Sequence, residues 1–118
     1  MKKVIIPESG LYKCVLLTDG KTTVFRAGDG EFHMDVAGRF RKKETGLKDF
    51  RIAGGGRINI KSKSYDFDTE KWVTSNECKV YGYSVDYGHM DKNVVEQLIS
   101  DYCNENGLEF INECGQGY

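Results

Sequence analysis

Residues 12–27 read YKCVLLTDGKTTVFRA. Tyr12–Leu17 is a short, nearly unbroken apolar run, bounded by Gly10 and by Asp19-Gly20. A strand with one wet face alternates, so a run of this kind predicts a strand covered on both faces. Thr22–Ala27 is its hairpin partner, because Asp19-Gly20 supplies the backbone that a tight turn requires. Lys13 is the one charge inside the apolar run, and a purely structural strand gives it no reason to be there.

Outward from the hairpin, Asp35 to about Thr45 reads as a helix. Val36 and Phe40 lie four apart on one face, and Arg41, Lys42 and Lys43 complement the dipole in the last turn. Gly46 is placed to be its C′ residue. Phe50–Ala53 leads into Gly54-Gly55-Gly56-Arg57, after which Ile58–Ile60 resumes an alternating pattern. Residues 61–76 are polar with aromatic interruptions, which predicts a long hairpin or an excursion, and Lys79–Val85 reads as a strand. Asp91–Asn104 carries the clearest helical pattern, with Asp91 or Asn93 as cap and Gly107 as terminator. Its stripe is Val94, Val95, Leu98, Ile99 and Tyr102. Leu108–Asn112 makes a last strand. Five or six strands interleaved with two helices predict a single α/β (α+β) domain over residues 1–118, in two or three layers.

Composition narrows the function. A chain of 118 residues, 39% apolar with one proline, fits a single domain with one core. Lys and Arg number 17 against 18 Asp and Glu, for a net charge of −1. That balance gives no bulk electrostatic reason to bind nucleic acid or a membrane surface, so any anion site must be built locally. The opening MKKVIIPESG has only a three-residue apolar run, too short for a signal peptide or a span, and a cytoplasmic protein is expected. Four cysteines without a CxxC pair and two histidines do not read as a zinc site, so free thiols and no metal cofactor are expected.

Three stretches invite a chemical reading. Three glycines followed by Arg57 mark a bulge or turn, or a close approach of backbone or ligand. Tyr81-Gly82-Tyr83-Ser84-Val85-Asp86-Tyr87-Gly88 ends a strand in small, permissive residues whose N–H groups can converge on an anion. If Phe32 and Met34 face the core, period-2 alternation turns His33 to the other side. Each of these, alone, is equally an ordinary turn or surface residue.

In order along the chain, GLYKCVLL, FRAGDGEFHMD, AGGGRI, VYGYSVDYG and the terminal Gly117-Tyr118 resemble the Janus/Ocnus family. Its characterised members are protein phosphohistidine phosphatases. The resemblance implies a cofactor-free, mixed sheet of about six strands flanked by two helices, acting as a monomer on phosphohistidine-containing proteins or peptides. It implies His33 as the catalytic residue and Lys13 as a holder of the phosphoryl group. Arg26 and Arg57 would line that pocket, and Tyr83, Ser84 and Asp86 would offer backbone N–H groups, with the Ser84 hydroxyl, to phosphate oxygens. Asp86 departs from the small uncharged residue usual there, and its carboxylate is expected to point outward.

Elementary chemistry agrees with such a site. Cleaving a P–N bond spreads negative charge over the phosphoryl oxygens, so positioning and electrostatics carry the reaction. Histidine, as a residue type with a reference pKa near 6.5, can take a proton from water or attack phosphorus itself. The same residues would also serve a non-catalytic binder of phosphohistidine, or a broader phosphoramidase acting on phospholysine or small phosphoramidates.

Overall fold

The computed structural model describes residues 1–61, 64–73 and 76–115. Gly117-Tyr118 lies outside the described residues, as do positions 62–63 and 74–75 of the 61–76 segment. The elements, in order, are β1 (Val4–Ile5), β2 (Gly10–Thr18), β3 (Thr23–Gly28), α1 (His33–Lys43), a short 3₁₀ turn (Thr45–Leu47) and β4 (Arg51–Lys61). There follow β5 (Ser64–Asp66), β6 (Lys71–Val73), β7 (Glu77–Gly82), α2 (Lys92–Glu105) and β8 (Glu109–Cys114). Six strands form one mixed sheet in the order β1-β3-β2-β4-β7-β8, while β5 and β6 pair as a separate hairpin. The outer pairs β1–β3 and β7–β8 are parallel, and the inner pairs antiparallel.

Both faces of β2 are covered, as its unbroken apolar run predicts. Val15 and Leu17 join Val24, Val36, Ala37, Leu47 and Phe50 in a core under α1. Cys14 and Leu16 join Ile58, Val80, Val95, Ile99 and Cys103 in a second core under α2. The sheet is therefore the middle of three layers, with the period-2 alternation of β2 feeding one core and then the other.

The second helix follows its sequence signals closely. The Asp91 carboxylate accepts from the N–H groups of Asn93 and Val94, at 2.9 and 3.2 Å. At the other end Leu108 N–H donates to Cys103 O (2.8 Å) and Gly107 N–H to Asn104 O (3.5 Å), a Schellman ending. The first helix departs from its signals at both ends. It begins at His33 because the Asp35 carboxylate accepts the Phe32 N–H at 2.9 Å, fixing the first turn two residues early. It stops when Glu44 turns extended at φ −110°, ψ 100°, and Gly46 sits in the following 3₁₀ turn rather than serving as C′. That turn inserts the fully buried Leu47 into the α1 core, a burial worth about 1.5–3 kcal/mol.

The triple glycine lies inside β4 as a β-bulge. Val15 pairs with Gly55 and Leu17 with Ile52, so Ala53 and Gly54 together face the single residue Leu16. Gly54 takes φ +127°, and a Cβ there would collide with the His89 carbonyl.

Candidate functional site

The bulge brings three separate segments together at one end of the sheet. β2 and β4 supply Lys13 and Arg57, which are register partners on the α1 side of the sheet. Neighbours of this kind hold their Cβ atoms about 4.5–5.5 Å apart, so two cationic side chains share one patch. The row continues across the sheet through Tyr81 and Glu113.

His33 comes from the start of α1 and leans on the glycine strand. A Cβ on Gly55 would lie 2.6 Å from His33 Cδ2 and 3.0 Å from Ser84 Cβ, so the bare glycine is what lets helix, strand and loop meet. Its ring Nε2 is 2.9 Å from Gly56 O. A carbonyl only accepts, so Nε2 carries the hydrogen, and in the neutral ring Nδ1 is left with the lone pair. The alternation expected around His33 does not hold. Phe32 and Met34 are 54% and 55% exposed, not in the core, because the segment is already turning into a helix and period-2 alternation does not apply.

The third segment is the loop after β7. Ser84 N–H donates to Gly88 O (3.1 Å), Gly88 N–H returns to Ser84 O (2.8 Å), and Gly55 N–H also donates to Gly88 O (3.1 Å). Ser84 is buried, and its Oγ accepts the Tyr87 N–H at 3.2 Å. This corrects one expected role: the Ser84 N–H is already engaged and cannot be a phosphate donor. Its hydroxyl keeps its own proton to give. Among the described residues, no protein acceptor takes the N–H of Val85 or Asp86 at the tip. Tyr83 flanks the loop, its ring 5.2 Å from that of His89.

Around these groups opens a cavity of about 540 Å³. Lys13, His33, Arg57, Tyr83, Ser84 and Asp86 all line it, so six of the seven residues singled out from the sequence converge. Asp86 is an exposed residue that also lines the cavity, so it borders the site while open to solvent. Glu31, Phe32 and Val85 complete the lining and were missed. Only their adjacency to His33 and Ser84 in sequence hinted at them.

Arg26 is the exception. It is fully buried, at the other end of α1, where its Nε and Nη2 grip the two Glu44 carboxylate oxygens at 2.9 Å each. Nη1 donates to Phe25 O (3.0 Å) and Nη2 also to Lys2 O (2.7 Å), and the guanidinium lies 5.9 Å from the Phe40 ring centroid. His33 and Glu44 are eleven residues apart on the helix, about 16 Å at 1.5 Å per residue. Arg26 is thus a structural ion pair and no part of the pocket.

The cysteines offer no competing nucleophile here. All four are free and buried. None of them lines the cavity, and burial pushes the Cys14 thiol well up and that of Cys114 up to about 11, while Cys103, lowered by its hydrogen bond with Cys78, belongs to the core under α2. Among the described residues no group of three or more His, Cys, Asp or Glu side chains is placed to hold a metal ion, and no helix is long and apolar enough to cross a membrane.

A family model described as Janus/Ocnus family (Ocnus) matches residues 2–106. No curated protein matches the chain.

Proposed function

The chain belongs to the Janus/Ocnus family, and we propose that it is a protein phosphohistidine phosphatase that works from the His33 cavity. The observation that carries this reading is the convergence of His33 with the Lys13–Arg57 pair on one cavity. Lys13 and Arg57 hold the phosphoryl oxygens, and the Val85 and Asp86 N–H groups with the Ser84 hydroxyl add donors that fit the charge developing in the transition state. Such donors are most effective where the site holds them in place beforehand. The doubly bonded Ser84–Gly88 loop is held in that way.

His33 acts through Nδ1, since the Gly56 carbonyl occupies Nε2–H. In one route Nδ1 takes a proton from a water that attacks phosphorus as the P–N bond breaks, and the leaving imidazole nitrogen is protonated by solvent. In the other, Nδ1 itself attacks phosphorus as the substrate P–N bond breaks, the leaving imidazole nitrogen again takes a proton from solvent, and water then hydrolyses the phosphorylated His33. Rapid quenching at alkaline pH separates the two, because only the second accumulates phosphate on His33. The reading also fits a cytoplasmic protein, where the four thiols stay reduced.

The deciding experiment is phosphate release from chemically phosphorylated polyhistidine, with and without a strong chelator. Release that survives chelation and disappears in His33→Ala is expected. Binding of the phosphorylated peptide without release would leave a non-catalytic phosphohistidine binder. Loss on chelation with recovery on adding a divalent ion would overturn the assignment of the phosphoryl charge to Lys13 and Arg57.

A further inference from the structure

Seven large apolar side chains are exposed among the described residues, and four of them stand around the candidate site. Phe32 (54% exposed) and Val85 (89%) line the His33 cavity, and Tyr87 (39%) lies in the loop that carries Val85. Leu11 (54%) lines a second, smaller cavity of about 170 Å³, formed with Gly28, Asp29 and Gly30. Single exposed apolar residues need no explanation, but a group of them around a polar floor marks a surface that binds something.

The two cavities have Lys13 and Arg57 in common. A ligand whose phosphoryl group sits at that pair therefore faces the larger cavity on one side and the smaller on the other. The smaller is well below the roughly 300–1,000 Å³ of an independent small-molecule pocket, and is the size for one side chain of something anchored next door. A free phosphoramidate would leave both this cavity and the apolar rim empty.

Building on the phosphohistidine reading, we infer that the smaller cavity is a subsite for a residue flanking the phosphorylated histidine. The rim of Leu11, Phe32 and Val85 would then select polypeptides with an apolar side chain beside it. The charged pair fixes the phosphoryl group in either kind of ligand. Only the polypeptide covers Leu11 and Val85, and removing that apolar area from water favours it.

The test uses peptides that carry a non-hydrolysable phosphonotriazole mimic of phosphohistidine, flanked on both sides by Leu or by Gly, with affinity read by fluorescence anisotropy. The Leu peptide is expected to bind roughly tenfold tighter, the effect of partly burying one such side chain. In the Leu11→Ser, Val85→Ser double variant the preference should fall below about twofold. Both side chains are exposed, so the variant keeps its fold. Equal binding of the two peptides by the unsubstituted protein, a preference that survives both substitutions, or no binding of either peptide overturns the subsite. Turnover plays no part in this readout. A protein that prefers the Leu peptide but releases no phosphate from phosphorylated polyhistidine would keep the subsite and lose the phosphatase reading.

Discussion

The two ends of α1 handle positive charge in opposite ways. At its C-terminal end Arg26 is fully buried, its guanidinium shared among one carboxylate and two backbone carbonyls. At its N-terminal end Lys13 and Arg57 are partly exposed and line a cavity with His33. All three cations stand on the α1 side of the sheet, since Val15 is the register partner of Arg26 and Lys13 that of Arg57. The difference is what lies opposite. A cation gripped by a carboxylate inside the core is fixed and silent, whereas cations that line an open cavity stand where an incoming anion can reach them.

The contrast is broken most sharply by exchanging readouts between the two ends. His33→Ala should lower kcat/KM by about 10²–10⁴-fold, the usual range for a lost acid–base group, with little change in the urea midpoint. A folded variant with normal turnover would remove His33 from the chemistry. Arg26→Ala should do the reverse. It strands the Glu44 carboxylate, which costs about 3–5 kcal/mol of stability, while activity per folded molecule holds. A large loss of activity in variant protein shown to be folded would return Arg26 to the site.

Gly55→Ala sharpens the comparison where the His33 ring leans on β4. Its new Cβ meets the His33 ring at 2.6 Å and must displace it, and misplacement of about 1 Å costs on the order of 10²-fold. Gly38→Ala, in α1 with open space around it, serves as the control that should stay active. Lys13→Ala and Arg57→Ala each remove a charge-assisted hydrogen bond of about 1.5–3 kcal/mol. Each should lose roughly 10- to 150-fold in kcat/KM, with inhibition by inorganic phosphate weakened in parallel. Unchanged phosphate inhibition in both would place the anion elsewhere.

The smallest effect is expected at Asp86. The carboxylate of an exposed residue is screened by water, where two charges 4 Å apart interact by about 1 kcal/mol. Asp86→Ala should therefore shift KM less than about threefold. A tenfold fall in KM would show a carboxylate pressed against the bound phosphoryl group, and complete inactivity would make it part of the chemistry.

Local signals sufficed for much of the fold. The apolar run of β2 announced a strand buried on both faces, and the stripe, Asp91 cap and Gly107 ending of α2 were legible because each is satisfied within a few residues. The family resemblance led to His33, Lys13, Arg57 and the 83–86 loop, and the folded chain sets them around one cavity. Tertiary structure alone decided the rest. Sequence could not separate Arg26 from Arg57, since an arginine's role depends on whether a carboxylate eighteen residues away folds back onto it. It could not tell that the Ser84 N–H is already taken by Gly88, because that bond belongs to the closed loop. Nor could it show that Gly55 is bare to admit a histidine ring from a helix twenty-two residues earlier. Charge, apolar spacing and caps are properties of the chain, but which donor is engaged and which cation faces a cavity are set only when distant segments are brought within hydrogen-bond reach.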